Sequence, residues 1–265
     1  MRSKTVMKED EIGSDDCIRC IQAEIYVVGE KRGNIYILTL TGDDDHRLNP
    51  TLLDSISAAV HRVRSETTTP SALITTAQGK FFSNGYDLAW SQSDPDRHIL
   101  MSSKLRLLVR DLISLPMPTI AAVTGHASAG GFILAQAHDY VLMRKDRGFL
   151  YMSEMDIKLV VPDWFVKLFK NKIGSPAAIR DVLLRADKVT AEVAMAKGII
   201  YSAHDSADET LKAAVRLAEE LVARKWDGHV YGCNRKVLFA DVLAAMNFDE
   251  TVEDVAGANI ISSRL

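Results

Sequence analysis

The chain of 265 residues has little cysteine: Cys17, Cys20 and Cys233 are all it contains. Cys17-Ile18-Arg19-Cys20 has the spacing of a redox or half-zinc motif. No second ligand pair follows and no βαβ unit precedes it, so it reads as an ordinary reduced pair. No apolar run approaches the length of a bilayer-spanning helix, so no membrane span is expected. The N-terminus, Met1-Arg2-Ser3-Lys4 followed by acidic residues, lacks the apolar segment of a secretory signal. An excess of positive charge is also missing. The net charge is −3, which provides no field for nucleic acid. Neither a metal site nor a resident cofactor is implied, and no internal repeat is visible.

What is present is an ordinary globular composition, 47% hydrophobic and 25% charged, long enough to bury a sizeable core. Two small-residue turns stand out. Phe82-Ser83-Asn84-Gly85-Tyr86-Asp87 and Gly125-His126-Ala127-Ser128-Ala129-Gly130-Gly131 each follow an apolar run, Ala72–Thr76 and Thr119–Val123. Turns of this kind leave backbone N–H groups uncovered. Two such groups aimed at one point can hold a developing oxyanion, which points to chemistry on a carbonyl compound.

Residues 1–21 read as a loose acidic leader. Glu24–Val28 and Asn34–Leu40 read as a hairpin around Gly29–Gly33. Pro50 opens a helix whose stripe is Leu52, Leu53, Ile56, Ala59, Val60 and Val63. Ser71–Thr76 is a strand, Leu88–Asp96 a polar loop, and His98–Leu115 a helix stopped by Pro116 and Pro118. Thr119–Thr124, Asp139–Met143 and Phe149–Met152 read as strands, with a helix at Ala129–His138. Helices follow at Pro162–Lys172, from Pro176 to Arg185 with Ser175 as cap, at Thr190–Lys197 before Gly198, at Ala207–Arg224 and at Val230–Met246. Ile199–Ser202 is a short extended piece. This is an α/β fold: a core over 22–205, then a helical region over 206–262 whose apolar stripes suit subunit contacts.

These residues resemble the crotonase (enoyl-CoA hydratase/isomerase) superfamily over roughly Glu24 to Glu250. The resemblance rests on Gly79-Lys80-Phe81-Phe82-Ser83-Asn84-Gly85-Tyr86-Asp87-Leu88, on Pro118–Gly125, and on Ala129-Gly130-Gly131 followed by Ala135 and Asp139. Within the superfamily the chain is most similar to plant peroxisomal Δ3,Δ2-enoyl-CoA isomerases. The resemblance implies a spiral of ββα units and a homo-oligomer, a trimer or hexamer, held by C-terminal helices. It implies an acyl-CoA thioester substrate, so that CoA enters as part of the substrate. It places the oxyanion-hole N–H groups at Tyr86 and Gly130. Asn84, Gly85, Tyr86, Asp87 and Leu88 would line the thioester, and Arg47 would approach a CoA phosphate.

Hydratases of the superfamily use two glutamates. At one of those places this chain has Ile133, and at the other Glu154. An aliphatic side chain cannot activate water. One carboxylate suits double-bond migration, in which the same group removes a proton from C2 and returns it to C4. The apolar flanks of Glu154, among them Met152, Met155, Ile157, Leu159 and Trp164, suit a carboxyl whose pKa must rise toward neutrality. Lys158 departs from the glycine common at its place. Asp156 and Asp163 are rival carboxylates that read better as caps or solvated groups, and Asp87 reads as a helix cap. Gly125–Gly130 misses the spacing of a serine-nucleophile elbow by one residue, so Ser128 reads as a small turn residue.

The chain ends Ser263-Arg264-Leu265, a close variant of the Ser-Lys-Leu peroxisomal address read by an import receptor. The expectation is a peroxisomal isomerase taking 3-enoyl-CoA to 2-trans-enoyl-CoA in fatty-acid β-oxidation. The alternatives are a 2-enoyl-CoA hydratase or thioesterase on the same scaffold, and a non-catalytic acyl-CoA-binding subunit.

Overall fold

The β-branched and apolar runs of the first half form strands, and they divide between two sheets. The computed structural model describes residues 27–92 and 94–247. The leader at 1–21, Cys17, Cys20 and the tripeptide Ser263-Arg264-Leu265 lie outside the described residues.

The large sheet has the order β1-β2-β3-β5-β7-β9. Its strands are β1 (Val27–Arg32), β2 (Ile35–Leu40), β3 (Ala72–Ala77), β5 (Thr119–Val123), β7 (Tyr140–Arg144) and β9 (Ser202–His204). Only the β1–β2 pair is antiparallel; every later pair is parallel. A small, all-parallel sheet is built from β4 (Phe81–Ser83), β6 (His126–Ser128) and β8 (Leu150–Tyr151). The chain therefore repeats one move three times. It runs a strand in the large sheet, then one in the small sheet, then helix: α2 (Leu88–Ser91) and α3 (Pro95–Ile113), then α4 (Gly130–Gln136), then α5 (Asp163–Lys172). This is the expected spiral of ββα units.

Both faces of the large sheet are covered, as parallel strands require. Leu38, Leu73, Ala121 and Val123 face the main core with α1 (Pro50–Glu66), α3, α4 and α5. Their alternate neighbours Ile37, Ile74, Ile120 and Ala122 pack under Ala213, Ala214, Leu217 and Ala218 of α8 (Ala207–Ala223). The boundary expected at 205/206 therefore separates no independent layer: α8 closes the core itself, and its small residues let it lie close to the sheet.

The local capping follows the sequence. Asn49 accepts from Leu52 N at 2.9 Å and opens α1, and Ser175 accepts from Ala178 N at 3.2 Å to open α6 (Pro176–Leu183). Three boundaries differ. Gly29–Arg32 is strand rather than turn, and the hairpin reverses at Gly33-Asn34, where Gly33 has φ +58°. The loop after Leu88 is partly helical, and α3 begins at Pro95 because Asp94 caps it. The last helix is two, α9 (Gly228–Leu238) and α10 (Ala240–Ala245), parted at the buried Phe239; α7 (Ala191–Ala196) precedes β9 as expected.

α9 is tied down by a buried polar cluster. Arg235 pairs with Asp139 at 2.8 Å, and its guanidinium also donates to Leu112 O at 2.7 Å and to Thr119 Oγ1 at 3.1 Å. Tyr231 donates to Asp139 at 3.1 Å. Removing one partner of a buried pair strands the other charge. Arg235→Met is therefore expected to cost about 3–5 kcal/mol. A shift of the denaturant midpoint too small for that, at an unchanged slope, would show that the cluster relaxes without it.

Candidate active site

The geometry of the site starts from the register of the small sheet. Ser128 pairs with Tyr151, and Ala129 donates to Tyr151 O at 2.7 Å. Residues leaving β4, β6 and β8 consequently emerge side by side at one C-terminal edge, the edge at which parallel sheets receive ligands. Those residues are Asn84–Leu88, Ala129–Gly131 and Met152–Glu154. The three expected centres, Tyr86, Gly130 and Glu154, thus come from three neighbouring strand ends.

The first two turns touch backbone to backbone. A Cβ at Gly85 would lie 2.9 Å from Ser128 O and 3.3 Å from Gly130 N, and Gly85 has φ +73°. A Cβ at Gly131 would lie 2.2 Å from Ser83 O. Close approach requires both glycines, and at Gly85 the backbone angle requires it as well.

The direction of each N–H follows from peptide planarity, which sets N–H and C=O of one peptide unit on opposite sides. Gly85 O accepts from Leu48 N at 2.8 Å, so the Tyr86 N–H points away from Leu48. Ala129 O accepts from Phe132 N at 2.9 Å and Ile133 N at 3.1 Å, so the Gly130 N–H points away from α4. Ala129 holds φ +47°, a costly angle for a residue with a Cβ, and it sets this turn. Neither N–H donates to a turn or cap carbonyl among the described residues. Two donors of this kind suit an oxyanion.

Sequence reasoning missed what holds the first turn. Ser83, fully buried, donates to His46 O at 2.8 Å and accepts from Gly85 N at 3.3 Å. Residues 44–48 run along β4: Phe81 N donates to Asp44 O at 3.1 Å and Asn84 N to Asp45 O at 2.9 Å. No sequence signal marks that strap, since residues 43–47 read only as a polar loop.

Glu154 is 7% exposed. Burial pushes its carboxyl up to about 7, and its Oε2 has no hydrogen-bond partner. Its loop turns back at Lys158, which takes φ +60° where a glycine would be unstrained. Ile133 is fully buried in α4, so no second carboxylate arises there. Asp156 accepts from the Tyr151 hydroxyl, and Asp163 begins α5 and pairs with Lys167; both are engaged structurally. Asp87 caps α2 by accepting from Trp90 N at 3.1 Å, as expected. Leu88 opens α2, half-buried. Asn84 is half-buried and 3.5 Å from Asp45. Arg47 lies on the strap with its charge already matched by Asp45 at 2.9 Å. Ser128 ends β6 and bonds to no histidine among the described residues; the nearby His126 ring packs against Phe81 and Phe149 at 5.0 and 4.1 Å. Two grooves, of about 670 and 840 Å³, are lined by neither glycine turn; the larger of the two includes Met155, next to Glu154.

Residues 30–230 match the family model described as enoyl-CoA hydratase/isomerase. The chain belongs to that family. Among relatives of this family, enoyl-CoA delta isomerase 1, peroxisomal, of Arabidopsis thaliana is 62% identical over 215 residues, covering 81% of this chain and 90% of its own. Enoyl-CoA delta isomerase 2, peroxisomal, of the same plant is 47% identical over 230 residues, with 84% and 96% covered. Solved structures agree in fold. An Mtb enoyl-CoA isomerase superposes with a TM-score of 0.77 at 22% identity, over 88% of this chain and 98% of that one. An enoyl-CoA hydratase from Bacillus halodurans gives 0.76 at 21%, over 87% and 94%.

A carboxyl whose pKa is higher folded than unfolded favours folding while it is protonated. The contribution of Glu154 is fully present below about pH 4.5, its ordinary value, and is lost as pH rises through about 7. Glu154→Gln should therefore match wild type in stability at pH 4.5 and exceed it at pH 8 by about 3 kcal/mol. Denaturant unfolding at both pH values reads this directly. Equal stabilities at pH 8 would mean that the folded carboxyl titrates normally.

Proposed function

We propose that this protein is a peroxisomal Δ3,Δ2-enoyl-CoA isomerase that converts 3-enoyl-CoA to 2-trans-enoyl-CoA in fatty-acid β-oxidation. The observation that carries the mechanism is a buried carboxyl at Glu154 whose Oε2 has no partner among the described residues, on the strand end next to the two glycine turns, with the buried aliphatic Ile133 where a second carboxylate would be needed. The relatives named as isomerases support the same reaction.

The thioester oxygen of the substrate accepts from the N–H groups of Tyr86 and Gly130. The C2 proton is acidified by the carbonyl and by the neighbouring double bond. The Glu154 carboxylate takes it, and the electron pair moves onto the thioester oxygen as a dienolate. The two N–H groups stabilise that charge, each worth about 10²–10³ in rate. The Glu154 carboxylic acid then returns the proton at C4. The step is redox-neutral and consumes nothing, and the CoA belongs to the substrate. Asn84, Gly85, Asp87 and Leu88 border the thioester. Arg47 serves a CoA phosphate only by sharing its charge with Asp45.

The protein assembles as a homo-oligomer, a trimer or hexamer, through its C-terminal helices. Val230, Val237 and Leu238 of α9 are 55%, 76% and 63% exposed, an apolar surface suited to burial in a partner copy. An import receptor reads Ser263-Arg264-Leu265.

The test is ultraviolet absorbance of the conjugated thioester as purified protein meets 3-hexenoyl-CoA. Wild type should give rising absorbance, and Glu154→Gln should lose at least about 10²-fold. The wild-type kcat/KM should fall tenfold per pH unit below about pH 7, as the base becomes protonated. A flat wild-type trace would reject the reaction. Formation of 3-hydroxyacyl-CoA from a 2-enoyl substrate would move the weight to hydration, and equal rates in both proteins would discard Glu154.

A further inference from the structure

The strap along β4 carries one side chain that the proposed mechanism leaves without a task. His46 is 2% exposed although its neighbours are polar, and it holds φ +43°. That left-handed angle is uncommon for a residue with a Cβ; histidine, asparagine and aspartate adopt it more readily than most. The backbone N–H, the carbonyl and the ring Nδ1 of His46 are all engaged. The N–H donates to Asp43 Oδ1 at 2.7 Å, the carbonyl accepts from Ser83 Oγ at 2.8 Å, and Nδ1 lies 2.9 Å from Phe81 O. A carbonyl oxygen can only accept, so Nδ1 carries a proton and donates it.

These bonds reach the first glycine turn from two sides. Two residues beyond His46, Leu48 N donates to Gly85 O at 2.8 Å. That oxygen belongs to the peptide unit whose N–H is that of Tyr86, so the bond fixes where the N–H points. On the other side, Ser83 Oγ donates to His46 O and accepts from Gly85 N at 3.3 Å. Gly85 is thus held at both its amide and its carbonyl through the segment in which His46 makes the bend. The backbone angle at His46 sends Leu48 toward the turn, and the ring bond to Phe81 O fastens the bend to β4. We propose that His46 is a positioning residue for the oxyanion hole: its imidazole N–H, bonded to Phe81 O, fixes the strap and so keeps the Tyr86 amide aimed at the substrate oxygen. The inference rests on the Tyr86 N–H holding the thioester oxygen, and it requires no contact between His46 and the substrate.

A donor held in place before the reaction needs no reorientation as charge develops. Freed from β4, the strap lets the Gly85–Tyr86 peptide turn, and the donor must be aimed again in the transition state. A misplacement of about 1 Å is worth about 10² in rate.

Two variants of the full-length protein separate the donor from the bend. His46→Asn keeps an N–H donor at the position of Nδ1 and tolerates the backbone angle. His46→Gly tolerates the angle and has no donor. The first readout is the infrared stretch of an isotope-labelled thioester carbonyl in bound 2-hexenoyl-CoA, which falls in frequency when its oxygen is hydrogen-bonded. Wild type and His46→Asn should show the full fall, and His46→Gly a smaller one. In His46→Gly, kcat for 3-hexenoyl-CoA should drop about 10- to 10²-fold with KM within about threefold, and His46→Asn should recover most of the loss. Hydrogen exchange at the Leu48 amide should quicken about tenfold in His46→Gly alone. A full carbonyl shift in His46→Gly, or equal losses in the two variants, would overturn the proposal. No shift in wild type would instead remove the oxyanion assignment on which it rests, and Leu48 exchange would still decide whether His46 pins the strap. Should His46→Gly not fold, His46→Asp replaces the donor of His46→Asn by an acceptor of the same shape; equal carbonyl shifts in that pair would also overturn the proposal.

Discussion

Everything at the candidate site depends on two stretches of backbone approaching with no side chain between them. Gly85 lies against Ser128 and Gly130, and Gly131 lies against Ser83 O. That contact brings two amides to one place. It also explains why the second sheet exists. Three strands of two or three residues each are too short to be stable alone. They are held because each is pinned at its C-terminal end by a turn that must pack on its neighbour.

The electrostatics of the site follow from the same packing. Excluding side chains from the turns leaves the amides as the local polarity, while the apolar surroundings of Glu154 withhold solvent from its carboxyl. In the proposed reaction a donor pair and a reluctant anion are opposite requirements: one site would have to stabilise negative charge on the substrate and tolerate little of it on the protein. Placing them on different strand ends of one small sheet satisfies both. Ile133, fully buried in α4, adds an aliphatic side chain rather than a second charge.

Much of this was legible in the chain. The helices at Pro50, Pro176 and Ala207 announce themselves through apolar spacing and caps, and the glycine turns through composition. The small sheet is harder: β4 and β6, of three residues each, are too short to show an alternation, and only β8 falls within an expected strand, Phe149–Met152. Gly29–Arg32 looked like a turn because an edge strand facing solvent carries polar residues. α8 looked like an appendage because an amphipathic stripe does not say which surface it meets. At the site, Glu154 stood out through its resemblance to a family position and its apolar flanks. The strap at residues 44–48 and the Ser83 bridge are long-range pairings, and local sequence carries no record of them.

The strap has a consequence for how the molecule behaves in a crowded solution. A parallel sheet three strands wide would normally offer two open edges to any passing chain. Here one edge is taken by the strap, through Asp44, Asp45 and Leu48, and the other by Val189, which exchanges two hydrogen bonds with Leu150 at 2.8 and 2.9 Å. The sheet that carries the candidate catalytic edge is thereby sealed on both flanks against strand addition. The outer strand of the large sheet instead presents Glu30, Lys31 and Arg32 to solvent, charges that discourage edge-to-edge association. The protein can therefore keep a rigid, glycine-rich edge without also offering a template for aggregation.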